Sequence, residues 1–141
     1  MPDTFHSLTP LLEVFDLPTS IAFYRDVLDF TLISGDDSWW CMLKLGGATL
    51  MLNTAYDDGE RPSAPDRSRV WGHADTCLYL AVDSPENIYA QLQQKGWPAT
   101  GPAIISYGMK QVSTRGPDGA SKSFHRSAQA AWLIALTTTR N

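Results

Sequence analysis

One local pattern occurs twice in this chain. Asp-x-Pro-x-x-Ile stands at Asp16, Pro18 and Ile21 and again at Asp83, Pro85 and Ile88, about 67 residues later, close to half of the 141-residue length. An aromatic residue follows each predicted helix at the same interval, Phe30 and then Trp97. Self-similarity at a fixed period marks a duplicated structural unit, so a fold for this chain has to accommodate one unit built twice.

The first unit is expected over residues 8–53. Leu8 to Phe15 is extended and largely apolar in character, and Pro10, which has no N–H to give a ladder, places that strand at a sheet edge. Asp16 or Thr19 is a suitable N-cap and Pro18 is tolerated in a first turn. Ile21, Tyr24, Val27 and Leu28 then recur at helical spacing and form one apolar stripe. Three strands follow at Phe30–Ser34, Ser38–Leu45 and Ala48–Asn53, separated by Gly35-Asp36-Asp37 and Gly46-Gly47. The order is strand, helix, strand, strand, strand.

Residues 54–72 change to Asp, Gly, Pro, Ser and Arg without apolar periodicity, and read as a connecting loop. The second unit, residues 73–126, begins with a strand at Cys77–Val82 and a helix at Pro85–Lys95 that turns Ile88, Tyr89 and Leu92 inward and stops at Gly96. Strands at Pro98–Ile105, Met109–Thr114 and Ala120–Arg126 complete it, the last two joined by a turn at Pro117-Asp118-Gly119. Gly47–Leu52 matches Gly119–Phe124 at an interval of about 72 residues. Ala130–Leu136 in the tail, residues 127–141, is too apolar to be left in water and is expected to pack on the sheet, a helix or a second copy.

Several function classes are disfavoured by composition. A formal charge of -4 with no basic stripe is unsuited to a nucleic-acid backbone. The longest apolar run falls well short of the roughly 20 residues a bilayer requires, so no membrane partner is expected. Two cysteines and no signal-peptide pattern point to a reducing, cytoplasmic setting.

FYRDVLDF at residues 23–30, the two strand-helix-strand-strand-strand units and the late YGMK, GPDG and SFHR strings together resemble the vicinal oxygen chelate superfamily, which holds glyoxalases, extradiol dioxygenases and bleomycin-resistance proteins. The resemblance spans about residues 8–126. Asp29 stands where a glycine is usual and Gly116 where an aspartate is usual. The implied fold is α+β, a single domain of two βαβββ units that share a concave eight-stranded sheet. The opening Thr9, Pro10, Leu12, Val14, Asp16 is closest to the bleomycin-resistance branch, whose members sequester an antibiotic unaltered, commonly as homodimers.

In metal-using members of that superfamily the ion is held by His or Glu on the first and last strand of each unit. Carried over by local motif, those positions fall on Thr9, Met51, Cys77 (or Thr76) and Ser123. None is a histidine or a carboxylate, whereas a catalytic divalent ion takes about three ligands of imidazole, carboxylate or thiolate type. No metal, cofactor or catalytic residue is therefore assigned, and enzyme activity is left open but disfavoured. The alternative is a metal-dependent lyase, isomerase or dioxygenase whose ligands have moved to Glu13, His73, His125 or Cys77. His73 and Cys77, if extended, lie about 13 Å apart and cannot share an ion.

Aromatic residues make up 11% of the chain, and Trp39, Trp40, Tyr56, Trp71, Tyr79 and Tyr107 fall on predicted strands or loops. Adjacent Trp39 and Trp40 point to opposite faces of a strand, so one is expected in the core and one on the concave side. Planar apolar ligands stack on such rings. Glu13 by strand parity shares the Thr9 face and His125 shares the Ser123 face; with Met51 and Asn53 they complete the candidate ligand-binding set. The expected function is metal-independent binding of a planar, partly cationic small molecule.

Overall fold

The computed structural model describes residues 3–57, 59–64, 73, 76–104 and 109–127. Their order is β1 (Leu11–Val14), α1 (Leu17–Ala22), a π-helical turn (Phe23–Val27), β2 (Thr31–Gly35), β3 (Trp40–Leu45), β4 (Ala48–Thr54), β5 (Cys77–Ala81), α2 (Pro85–Gln94), β6 (Thr100–Ile104), β7 (Met109–Arg115) and β8 (Ser121–Ser127). The chain divides into two compact units, Met1–Val70 and Trp71–Asn141. Each is βαβββ, and the architecture is α+β. Hydrogen bonding runs within two four-stranded sheets, ordered β1-β4-β3-β2 and β5-β8-β7-β6.

In the first unit β1 is an edge strand parallel to β4. It starts only after Pro10, whose carbonyl accepts from the Met51 N–H at 2.9 Å. Leu8, expected inside the strand, is 86% exposed instead, because a ring without an N–H ends the ladder there. Leu12, Val14, Leu43, Leu50 and Leu52 are buried with Leu17, Ile21, Tyr24 and Leu28 of the helical segment. Helical spacing predicted Tyr24 but not Phe23 in this core. A π-helical turn adds a residue, with the Leu28 N–H reaching back to the Phe23 carbonyl, and both rings become buried, edge-on to each other at 5.1 Å.

Both helical segments end on a left-handed residue, Asp29 with φ 68° and Gly96 with φ 72°. Gly96 adopts that conformation without strain and Asp29 tolerates it better than most residues. The second helix has the stronger start, because the Ser84 hydroxyl accepts from the Asn87 N–H at 3.2 Å. α2 packs against β6, β7 and β8, and Leu92, Val112 and Phe124 are buried.

The hydrogen-bond ladders align the two units more accurately than motif matching. Met51 N–H binds the Pro10 carbonyl in one unit and Ser121 N–H binds the Thr76 carbonyl in the other. Leu11 therefore corresponds to Cys77, Met51 to Ser121 and Asn53 to Ser123. The interval is about 66 residues on the first strand and about 70 on the fourth. The sequence match of about 72 was out by one pleat, which keeps the face but moves the position.

Candidate functional site

The two-residue turn at Gly46-Gly47 sets the register of β3 against β4, pairing Trp40 with Asn53 and Met42 with Met51. On the other side β1 pairs Glu13 with Asn53 and Leu11 with Met51. With the core taken up by Cys41, Leu43, Leu50, Leu52, Leu12 and Val14, alternation puts the remaining side chains on the face away from the helix. That face carries two successive rows, Glu13–Asn53–Trp40 and Leu11–Met51–Met42. Beyond them Thr9 Oγ1 lies 3.1 Å from Thr49 Oγ1, with Lys44 opposite Thr49.

The first row joins a carboxylate, an amide and an indole. Asn53 Oδ1 is buried and has no hydrogen-bond partner among the described residues. An acceptor buried in that state costs about 1–3 kcal/mol, which a donated hydrogen bond restores. The second row is soft and apolar, since thioethers adapt to irregular ring surfaces.

Trp39 does not behave as expected. It precedes β3, is 66% exposed, and uses its carbonyl to accept from the Thr54 N–H at 2.9 Å. Neither indole enters the core, because Cys41 takes the inward position next to Trp40. Tyr56 also falls outside the rows: it stands edge-on to Phe15 at 6.1 Å. Arg61 covers Phe15 at 5.2 Å and pairs with Asp16. Trp71 and Tyr107 lie outside the described residues, as does the tail beyond Ser127.

In the second unit the Pro117–Gly119 turn centres a hairpin that pairs Ser113 with Ser123 and Gln111 with His125. Parallel β5 adds Tyr79 opposite Ser123. Three of the candidates, Tyr79, Ser123 and His125, are thus brought together, and the Tyr79 and His125 rings meet edge-on at 5.6 Å. Gln111 Nε2 donates to Ser113 Oγ at 3.1 Å and Ser123 Oγ at 3.2 Å, which turns Oε1 away from the hydroxyls. Gln111 Oε1 and His125 Nδ1 are both buried with no partner among the described residues. Cys77 Sγ lies 3.4 Å from Ser123 Oγ.

Sequence reasoning missed Met42, Gln111 and Ser113. Their signal was present in the two hairpin turns, since residues equidistant from each turn centre must face one another.

The core side of the second sheet is unusual. Lys122 and Asp118 are almost wholly buried and bonded at 3.0 Å, and Lys122 Nζ also donates to the Ala120 carbonyl at 2.8 Å. Burial pushes the lysine's pKa down, against the opposing pull of Asp118. Burial likewise pushes the Cys41 thiol up.

The match to the family model of the Glyoxalase/Bleomycin resistance protein/Dioxygenase superfamily runs over residues 6–122, and the chain belongs to this family. Among solved structures, the chain is similar to TnmS3, an antibiotic binding protein from Streptomyces sp. CB03234. Identity is 20%, the TM-score 0.68, and the match covers 91% of this chain and 100% of that one. The bleomycin resistance determinant encoded on transposon Tn5 gives 20% identity and a TM-score of 0.67, over 88% of this chain and 99% of that one. The bleomycin-binding protein of Streptomyces verticillus, complexed with copper(II)-bleomycin, gives 17% and 0.67 over 87% and 97%. At these identities the likeness establishes the fold. No curated protein matches the chain significantly.

The metal used by part of the family can be tested against the residues present. Motif transfer gave Thr9, Met51, Cys77 and Ser123; aligning the ladders replaces Thr9 by Leu11 and Met51 by Asn53. Neither set holds an imidazole or a carboxylate. The His73 carbonyl accepts from the Thr76 N–H at 3.0 Å, so the extended spacing of about 13 Å expected between His73 and Cys77 does not apply. Among the described residues no three His, Cys, Asp or Glu side chains are grouped to hold an ion. The donor set does not fit a catalytic divalent metal.

Proposed function

We propose that this chain binds a planar, partly cationic small molecule without a metal and without converting it, as a cytoplasmic homodimer. The observation that carries this reading is the Glu13–Asn53–Trp40 row. An indole offers a face to a planar cation, Glu13 supplies negative charge, and Asn53 Oδ1 calls for an N–H donor. Met42, Met51 and Leu11 extend an apolar surface beside it. The antibiotic-binding and bleomycin-binding proteins of the same fold support capture as the activity. The exposed Cys77 thiol suits a reducing compartment.

Tryptophan fluorescence titration tests this with three planar probes of different charge: cationic proflavine, neutral anthraquinone and anionic anthraquinone-2-sulfonate. Saturable quenching strongest for proflavine is expected, with Glu13→Gln weakening it by about tenfold. Equal affinity for the sulfonate, or an unchanged Glu13→Gln protein, contradicts the cationic preference.

A further inference from the structure

We propose that a cleft in the second unit, between the start of β6 and the end of β7, is an oxyanion subsite for the carboxylate of a small organic acid, held by Arg115, Thr100 and Ser113. All of its lining belongs to the second unit, and the proposal does not depend on what the Glu13–Asn53–Trp40 row binds.

The cleft is shallow and open to solvent and offers about 300 Å³, with Pro98, Ala99, Thr100, Ser113 and Arg115 among its lining, at the small end of ligand pockets. Its walls are tied together. Trp97 Nε1 donates to the Arg115 carbonyl at 3.0 Å and Thr114 Oγ1 donates to the Pro98 carbonyl at 2.6 Å. Both strand ends are therefore held in place before a ligand arrives, which lowers the cost of binding.

The charge in the cleft is positive. Arg115 has five N–H donors, one of which, on Nη1, serves the Gly119 carbonyl. Among the described residues no carboxylate pairs with its guanidinium. The nearby Lys122 is compensated by Asp118, so the charge left for a ligand is that of Arg115. A single guanidinium matches a monoanion, and its planar fork fits a carboxylate in bidentate geometry.

The hydroxyls supply directional donors. Thr100 lies opposite Ser113 on the neighbouring strand, and its hydroxyl makes no hydrogen bond among the described residues. Ser113 Oγ accepts from Gln111 and lies 3.2 Å from Ser123 Oγ. When the bond from Cys77 runs thiol to Ser123 and then Ser123 to Ser113, the Ser113 O–H is left to donate into the cleft. Such chains reinforce each link. Ser121 plays no such part, since its hydroxyl donates to the Thr76 carbonyl. Pro98 and Ala99 provide the apolar wall for the acid's carbon skeleton.

The test is a titration of the full-length, isotope-labelled protein with benzoate and with benzamide, read by backbone amide chemical shifts at constant ionic strength. Benzoate should produce saturable shifts at Thr100, Ser113 and Arg115, and benzamide should not. Arg115→Gln should abolish them, and Arg115→Lys should weaken binding about tenfold because a point charge replaces a fork. Thr100→Val removes no bond of the fold and should weaken benzoate about threefold, which reads the site even if the arginine variant disturbs the turn. Equal binding of benzamide, full affinity in Arg115→Gln, or full affinity in Thr100→Val overturns the proposal.

Discussion

The two sheets have the same strand order pattern and the same parallel edge pairing, yet the same ladder positions hold different chemistry. In the first unit the layer Leu12–Leu52–Cys41 lies across β1, β4 and β3. Its counterpart in the second unit is Leu78–Lys122–Thr114 across β5, β8 and β7. Leu52 is fully buried, and Lys122 is 1% exposed at the matching place. A backbone scaffold thus tolerates either hydrocarbon or an ion pair in its core, provided the ion pair is closed by its own turn. The opposite faces differ as well: the first unit carries thioethers, an indole, a carboxylate and the Asn53 amide, the second hydroxyls, the Gln111 amide, a phenol and an imidazole. The two units share one hydrogen-bond ladder and fill it with different side chains.

The largest expected effect breaks the buried pair. Lys122→Met should cost about 3–5 kcal/mol in urea denaturation, because the buried Asp118 carboxylate loses the opposite charge beside it. Adding Asp118→Asn should recover a large part of that loss. In the first unit Leu52→Ala should cost about 2–5 kcal/mol through its cavity, with no second-site rescue of that kind. If Lys122→Met proves neutral, the pair is not what closes the second core.

The helix ends sharpen the comparison next. Asp29 and Gly96 occupy the same left-handed position at the ends of the two helical segments. A methyl group at Gly96 would meet nothing within 4 Å, so Gly96→Ala should cost about 1 kcal/mol from backbone strain alone. Asp29→Gly should change stability in the opposite direction, by up to about 1 kcal/mol. Thermal melts of the two variants read both signs.

The helix starts give the smallest effect. Asp16 accepts from Thr19 and from Arg61, and the Thr19 hydrogen bond above all holds its carboxyl below the usual carboxylate value. Its contribution is present above the unfolded pKa of about 3.9 and is lost as pH falls through the lower folded value. Exposure limits this to under about 1 kcal/mol. Asp16→Asn should therefore flatten the acid limb of the stability profile slightly. Ser84, which starts the second helix, also donates to the Glu86 carboxylate and, after Lys110, helps hold its pKa down, so Ser84→Ala should lower stability at pH 7 and by less at pH 3.

These contrasts show what was legible in the sequence. Element order followed from periodicity and from glycine and proline punctuation, and the edge position of β1 followed from Pro10. The π-helical turn was not legible, because FYRDV has the composition of an ordinary helix and the extra residue is fixed by packing of Phe23 and Tyr24. Strand parity correctly put Glu13 on the Thr9 face and His125 on the Ser123 face. It failed at Trp39, because the strand begins at Trp40 and alternation does not apply before it. Gln111 and Met42 were within reach through hairpin symmetry. The buried Lys122 was not, since nothing local to GPDGASK shows that Asp118 folds back on it.

Capture without a metal by the Glu13–Asn53–Trp40 row is most directly tested by calorimetric titration of proflavine into the full-length protein, with and without EDTA, beside the Trp40→Ala variant. The same affinity in both buffers, falling about tenfold in Trp40→Ala, is the result expected here. Loss of binding on chelation, or undiminished binding by Trp40→Ala, would contradict it.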